Sequence, residues 1–226
     1  CRTNPDAAKH RGITAFILDL RTPGVTIRPL QQITGTAEFN EIFLEDVRVP
    51  HANVIGGVDD GWHVAGTTLM NERKTIGAGG ASRRSNVPIR LADLARRSGT
   101  LDAVARHRIV DIHIRSELLR FLSLRTLTAA MQGRRPGPEG SVAKLASARL
   151  NVDTGDLGMG LLGAAGMAAD PDDIRWVTRF LWGPGHRLGG GTDEVNRNIV
   201  AERVLGMPGE PRDDTIPWRD IPRTAR

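Results

Sequence analysis

The chain has 226 residues, 39% hydrophobic and 25% charged, a composition typical of a globular protein rather than a disordered one. Its formal net charge is +5, but the 31 basic residues are spread along the chain with acidic residues between them, which argues against nucleic-acid binding. The net positive charge is also compatible with an anionic substrate or cofactor. The longest nearly apolar run, residues 157–169, is too short to span a bilayer. The single cysteine, Cys1, excludes an internal disulfide and is compatible with a reducing compartment, so we expect a cytoplasmic protein.

The first fifty residues predict strands. Residues 13–20 form an apolar, β-branched-rich run, and Thr22-Pro23-Gly24 is typical of a turn. Residues 25–30 alternate imperfectly between apolar and polar side chains, and residues 41–49 are a further candidate that ends at a proline. Three strands rarely form a stable unit unless something covers one face, so we expect this region to need a partner.

From about residue 61 the pattern changes to a helical period. The predicted helices cover residues 62–80, 101–131, 141–167, 172–181 and 192–205. Long helices with short connections are typical of an antiparallel bundle. We therefore predict an α+β fold, mostly helical, with a partial antiparallel β-domain at residues 1–55, a helical bundle at 56–208 and a loose tail at 209–226.

The glycine run at the start of residues 189–208 is the most informative feature. It lets the backbone turn tightly and approach a ligand closely. Thr192 is a candidate N-cap, and Asp193 and Glu194 fall in the first turn of the following helix, where acidic groups suit the helix dipole. By itself this pattern also fits an ordinary loop before a surface helix.

The helix after this loop has a regular apolar spacing and a clear end. Four residues recur at helical spacing and predict a buried face: Val195, Ile199, Val200 and Val204. Gly206 and Pro208 are expected to end the helix.

Taken whole, residues 189–208 resemble the C-terminal signature of the acyl-CoA dehydrogenase family, in which the loop reaches a flavin and the helix closes a bundle. Residues 11–13 and 22–25 are similar to strands of the family's central β-domain, residues 45–50 to its domain junction, and residues 60–62 to the start of its first C-terminal helix. The resemblance covers residues 1–208. It implies a family N-terminal domain and further strands before Cys1, so we expect a fragment that by itself is inactive.

The family resemblance also implies a function. It predicts a flavoprotein oxidoreductase of fatty-acid or lipid metabolism that uses FAD to remove hydrogens from the α and β carbons of an acyl-CoA thioester. An electron-transfer flavoprotein is the expected acceptor, and the protein is expected to form a homo- or hetero-oligomer. A catalytically silent or oxygen-using relative of the same fold, or a non-enzymatic helical interaction module, remains an alternative.

Glu72 is the candidate catalytic base. It shares a helical stripe with small and apolar residues: Ala65, Leu69, Ile76 and Gly79. A carboxylate that faces an apolar cavity has a raised pKa, which suits a general base at neutral pH. The same pattern fits a solvated glutamate paired with a nearby arginine.

The resemblance favours the catalytic interpretation of Glu72. In the branch with isovaleryl- and long-chain acyl-CoA dehydrogenases, the base is a glutamate followed by arginine on this helix, which Glu72 and Arg73 match. We assign Arg73 to substrate binding. The other branch carries its base as Glu-Gly-Thr in the late loop, where this chain has Gly190-Gly191-Thr192.

Cofactor contacts are assigned by the same resemblance. Gly191, Thr192 and Glu194 would contact FAD near the helix start, and Gly163 matches a second glycine-bearing cofactor turn, although Gly160 stands where the family has glutamine. The family's Arg-x-x-Phe has no counterpart in residues 85–107, where the possible substitutes are Arg90, Arg96 and Arg97.

Two other patterns favour structural roles. Residues 158–163 fit G-x-G-x-x-G, but no strand precedes them, so close helix packing explains the glycines better than a dinucleotide site does. His107 and Asp111 lie one helical turn apart, yet no further histidine or cysteine cluster supports a metal, and we interpret them as a solvated pair.

Overall fold

The computed structural model describes residues 1–78, 85–134, 137–168, 170–209, 211 and 214–221, with side chains up to residue 69 in the first of these ranges. The fold divides into one unit of Cys1–Asn71 with Glu210–Arg226 and a second unit of Glu72–Gly209. The predicted α+β fold dominated by helices is confirmed. In the described part of the chain, no helix is long and apolar enough to cross a membrane.

The first unit contains short antiparallel strands. They are β1 (Ala15–Phe16), β2 (Val25–Leu30), β3 (Phe39–Leu44) and β4 (Val54–Ile55). Strand β1 pairs with β4, and β2 pairs with β3 over six residues, from Val25 opposite Leu44 to Leu30 opposite Phe39. Directly opposed residues share a face of the hairpin. Apolar side chains on both faces, including Ile27, Ile42 and Phe43, are exposed, as expected for strands that need a covering element.

Two predicted strands are shorter than expected. Of the strand predicted at 13–20, only Ala15 and Phe16 form a β-strand. A turn follows, in which Thr22 N donates to Asp19 O at 2.9 Å. The strand predicted at 41–49 starts earlier and ends at Leu44. Asp46 then has a φ of 49°, a left-handed conformation that no strand continues through.

The described part of the tail contacts the start of the chain. Trp218 N donates to Ala7 O at 3.2 Å, and Arg219 N donates to Pro5 O at 3.1 Å. An ion pair joins Arg219 to Asp6 at 2.5 Å, and another joins Lys9 to Asp214. Residues 214–221 are therefore bonded within the first unit.

The second unit is a helical bundle. Its helices are α2 (Val87–Arg97), α3 (Ala103–Met131), α4 (Glu139–Leu162), α5 (Ile174–Leu188) and α6 (Asp193–Ile199), with a 3-10 turn at Gly163–Ala168 and one π-helical segment at Val200–Val204. Helix α1 (Gly61–Ala78) precedes them and contains the boundary between the two units. The core has side chains from α2, α3, α4 and α5: Leu91, Leu94, Ala95, Ala105, Ile109, Ile112, Leu157, Leu161 and Trp176.

Helix α2 was not among the predicted helices. Its first turn contains Pro88. Proline is tolerated at this position because an N–H in the first turn has no helical acceptor. Leu91 and Leu94 are fully buried, although Arg90, Arg96 and Arg97 make the segment polar overall. The spacing of the buried residues was a helical signal that the arginines obscured.

Helices α4 and α5 pack against each other in antiparallel directions with unusually close backbones. A Cβ added to Gly155 would lie 2.9 Å from Phe180 Cα, and one added to Gly158 would lie 2.8 Å from Trp176 Cε3. The helix-packing interpretation of the G-x-G-x-x-G glycines is confirmed for Gly158 and is wrong for Gly160 and Gly163, where an added Cβ would have no described atom within 4 Å. This packing extends to Gly183 opposite Val152, and α5 continues through Pro184 to Leu188, beyond its predicted end at 181.

Candidate functional site

The glycine turn between α5 and α6 is partly accessible: Gly189 is exposed, and Gly190 and Gly191 are half-buried. Gly190 and Gly191 have φ values of 69° and 92°, which favour glycine over any residue with a side chain. Gly189 N donates to Gly185 O at 3.0 Å and closes α5. Among the described residues, none accepts a hydrogen bond from the amides of Gly190, Gly191 or Thr192. These amides and the missing side chains fit a turn that a flavin approaches closely.

Thr192 caps α6, as predicted. Its backbone is extended, and its Oγ1 accepts a hydrogen bond from Val195 N at 3.3 Å. Glu194 follows in the first turn with an exposed side chain. Hydrogen bonds from its own amide and from the Thr192 hydroxyl hold the pKa of Glu194 below its usual value.

Asp193 points inward, unlike Glu194. Its side chain is 10% exposed, and it lies between cations from two other helices. Arg187 Nε donates to Asp193 Oδ2 at 2.6 Å, and Lys144 Nζ lies 3.6 Å from Asp193 Oδ1. Burial alone would raise the pKa of Asp193, but the hydrogen bond from Arg187 and the charges of Arg187 and Lys144 outweigh it, so the pKa lies below its ordinary value.

Asn196 ties the glycine turn to α6 from inside. It is 1% exposed, and its Nδ2 donates to Gly191 O at 2.8 Å and to Thr192 O at 2.9 Å. A Cβ on Gly191 would lie 3.1 Å from that nitrogen. Gly191 is therefore suited to its place both by its φ and by close contact with Asn196.

The apolar face predicted for α6 is at most half-buried. Ile199 and Val200 are half-buried and Val195 and Val204 are 47% and 40% exposed, whereas Asp193 and Asn196 are buried. Arg187 and the carbonyls of Gly191 and Thr192 hydrogen-bond to these buried side chains and partly compensate for their lost hydration. Lys144 Nζ and Asp193 Oδ1, 3.6 Å apart, form an ion pair, and neither atom has a hydrogen-bond partner among the described residues. The apolar spacing therefore identified the helix but not its most buried residues.

A shallow cavity of about 220 Å³ lies beside the glycine turn. Pro184, Arg187, Leu188, Asp193 and Glu194 line it. It therefore brings the candidate residue Glu194 next to the Arg187–Asp193 pair.

Gly163 lies at a different turn. It ends α4 with φ 56° and ψ −134°, a conformation that suits glycine alone, and no described atom lies within 4 Å of where its Cβ would be. Because α4 and α5 run in antiparallel directions, Gly163 lies near the start of α5 and the glycine turn follows its end. The 15 residues of α5 separate these turns by about 22 Å at 1.5 Å per residue.

The backbone of Glu72 and Arg73 lies in α1, but their side chains lie outside the described residues. Of the possible substitutes for the family arginine, Arg96 pairs with Asp93 at 2.6 Å and Arg97 with Asp173 at 2.9 Å. Both of these guanidinium groups thus already have carboxylate partners.

His107 and Asp111 line a second cavity of about 260 Å³ on α3, together with Asp153 of α4. Arg115 lies 2.7 Å from both Asp111 and Asp153, so it neutralises the carboxylates there. Within the described residues, no group of three potential metal-ligating side chains occurs.

Sequence reasoning missed the buried polar contacts of Lys144, Arg187 and Asn196. Lys144 lies on a helix whose pattern gave no reason to bury a lysine, and it is 6% exposed. Only the placement of Asp193 and Asn196 three residues apart, in the first turns after Thr192, could have suggested a shared inward face.

Comparison with known proteins gives a consistent result. Residues 59–205 match the family model described as acyl-CoA dehydrogenase, C-terminal domain. The chain is 36% identical over 209 residues to the acyl-CoA dehydrogenase FadE34 of Mycobacterium tuberculosis, covering 92% of this chain and 28% of that protein. It is 35% identical over 211 residues to the acyl-CoA dehydrogenase IpdE1 of Mycolicibacterium smegmatis, covering 92% and 53%. The chain thus spans about half or less of the length of these relatives.

Solved structures share the architecture. The structure titled Tcur3481-Tcur3483 steroid ACAD superposes with a TM-score of 0.79 and 28% identity, covering 93% of this chain and 56% of that one. A glutaryl-coenzyme A dehydrogenase glutaryl-CoA complex superposes with a TM-score of 0.72 at 22% identity, covering 91% and 53%. The second likeness shows the fold.

Proposed function

Because this chain belongs to the acyl-CoA dehydrogenase family, we propose that it is part of an FAD-dependent enzyme that forms an α,β double bond in an acyl-CoA thioester. The family match over residues 59–205 carries this proposal. Within it, residues 1–55 belong to a central β-domain, residues 56–208 to the C-terminal bundle and residues 209–226 to a tail. We propose a cytoplasmic location and an electron-transfer flavoprotein as the electron acceptor.

The proposed cofactor residues are Gly191, Thr192, Glu194 and Gly163. Supporting this, the glycine turn has amides without partners among the described residues and no side chain to block a planar ring. FAD, when bound, supplies the hydride acceptor of the reaction. Gly191 and Thr192 would orient it through their backbone, and Gly163 would leave room for it at the other turn.

The proposed general base is Glu72. Its carboxylate would take the proton from the α carbon of the thioester, while the β carbon loses a hydride, so that the product is a trans-2-enoyl-CoA. Arg73, the next residue, would bind the substrate. The two residues fall within the matched region and on a single helix.

The test is Glu72→Gln in the protein of native length, purified with any subunit that accompanies it. The variant should keep its yellow flavin and lose about 10²- to 10⁴-fold in turnover, the contribution usual for a positioned general base. Glu139→Gln is the matched control, since Glu139 is an exposed glutamate at the start of α4. Unchanged dehydrogenation by Glu72→Gln would refute the assignment of the base.

The substrate and the assembly need separate measurements. One similar structure is titled a steroid ACAD, so straight-chain acyl-CoA thioesters should be assayed beside one that carries a steroid ring system. Size-exclusion chromatography with light scattering would distinguish a homo-oligomer from a hetero-oligomer. A colourless protein that cannot be reconstituted with FAD would refute the proposed function as a whole.

A further inference from the structure

The buried contacts behind the glycine turn connect three helices. Asp193 begins α6, Arg187 lies in the last turn of α5, and Lys144 lies in α4. All three meet at one carboxylate, through the 2.6 Å bond from Arg187 and the 3.6 Å approach of Lys144. The turn at residues 189–191 is therefore fixed at both ends to the same group, since Arg187 precedes it and Asp193 follows it.

The Lys144–Asp193 ion pair differs from a cap on a surface helix because both of its side chains are buried. The side chains of Lys144 and Asp193 are 7% and 10% exposed, so water screens their attraction poorly. Asn196 adds two hydrogen bonds to the carbonyls of Gly191 and Thr192 from the same buried side. These bonds hold the carbonyls of Gly191 and Thr192, while the amides of residues 190–192 have no hydrogen-bond acceptor among the described residues.

We propose that Asp193, held by Arg187 and Lys144, is a positioning residue that fixes the glycine turn in the conformation that binds the flavin. This inference rests on the proposed function for the identity of the ligand. The restraint on the turn belongs to the protein alone and can be measured without cofactor. Asp193 itself acts through the backbone of residues 189–192 rather than by touching the ligand.

The bundle offers a matched control in Asp153. This α4 carboxylate is also mostly buried, at 18% exposure, and it also has two cationic partners, Arg115 at 2.7 Å and Arg149 at 3.1 Å. Its partners lie on α3 and α4, away from the glycine turn. Asp153→Asn thus removes a comparable charge without touching the proposed restraint.

The experiment compares Asp193→Asn with Asp153→Asn in the protein of native length. Amide hydrogen exchange of the cofactor-free proteins should be faster at residues 190–196 in Asp193→Asn and unchanged there in Asp153→Asn. The dissociation constant for FAD, measured by flavin fluorescence, should rise about tenfold or more in Asp193→Asn, in proportion to a lost hydrogen bond to a charged group. Asp153→Asn should stay within about twofold of wild type, because independent sites do not couple.

The outcomes separate the two proposals. Equal exchange at residues 190–196 in wild type and Asp193→Asn overturns the positioning role, as does faster exchange with unchanged FAD affinity. If wild type itself does not bind FAD, the proposed function fails, and hydrogen exchange alone then decides whether the turn is restrained. If Asp193→Asn does not fold, Arg187→Gln tests the same bond, since Arg187 is 45% exposed and leaves the Lys144–Asp193 pair in place.

Discussion

Replacing Gly158 by alanine tests the close packing of α4 on α5. The added methyl carbon would lie 2.8 Å from Trp176 Cε3, 3.1 Å from its Cδ2 and 3.2 Å from its Cβ. Trp176 is 3% exposed, so its ring has little space into which it can move. The overlap must be relieved by separating the two helices or by moving the ring within a packed core.

The expected change in the free energy of unfolding is the result of two opposing effects. Alanine is about 1 kcal/mol more favourable than glycine in a helix interior. Overpacking a well-packed core costs about 1–3 kcal/mol. Gly160 lies in the same helix, is exposed and has no atom within 4 Å of an added Cβ, so Gly160→Ala experiences the first term alone. The free energy of unfolding of Gly158→Ala should therefore be lower than that of Gly160→Ala by about 1–3 kcal/mol.

Thermal unfolding followed by circular dichroism measures this difference. For a chain of this length, about 1 kcal/mol corresponds to about 2–4 °C in Tm, so the two variants should differ by at least a few degrees. Gly160→Ala should equal or exceed wild type. A Tm for Gly158→Ala at or above that of Gly160→Ala would refute the interpretation of Gly158 as a contact residue.

Two further predictions concern a helix cap and a titrating group. Asp102→Ala should lower the free energy of unfolding by about 1 kcal/mol, because Asp102 Oδ1 accepts a 2.7 Å hydrogen bond from Ala105 N at the start of α3. Asp102→Asn should retain most of this cap, since asparagine also accepts such a bond. Equal losses of stability for the two variants in urea titrations would contradict this prediction. Loss of hydration, followed by the charges of Arg179 and Lys144, lowers the pKa of His186 in the folded protein from its ordinary value of 6.5. As the pH falls below 6.5, His186 is therefore protonated in the unfolded chain before it is protonated in the folded protein. The free energy of unfolding declines until the pH has passed the lowered pKa of the folded state. His186→Gln should flatten that decline when Tm is measured from pH 8 to 5, and an unchanged slope would exclude His186 as its source.

The helical part of the fold was largely predictable from sequence, and α2 shows the limit. Apolar side chains recur at a 3.6-residue period along the 29 residues of α3 and the 24 residues of α4, and these lengths make both helices identifiable. Helix α2 has only 11 residues, with arginine at three of them, so its average polarity outweighs the short run of buried positions. Pattern reasoning fails where the buried stripe is short and the exposed face strongly charged.

The candidate site was predicted less completely. The cap at Thr192 follows from local chemistry, since a threonine before acidic residues satisfies amides at a helix start. The inward direction of Asp193 does not, because it depends on Lys144 and Arg187, which come from other helices. A rule based on neighbours in sequence assigns Asp193 to solvent, and only the tertiary arrangement supplies the cations that make its burial favourable.

Gly163 and the glycine turn lie at the two ends of α5, so the length of that helix sets the distance between them. Inserting one residue into α5 would lengthen it by about 1.5 Å and rotate everything beyond it by about 100°. Because Gly155 and Gly158 of α4 contact the first part of α5, the inserted residue would displace the last turn of α5, which contains Arg187. Natural variation in this part of the chain should therefore consist of substitutions, while length changes should be confined to the segments outside the helix.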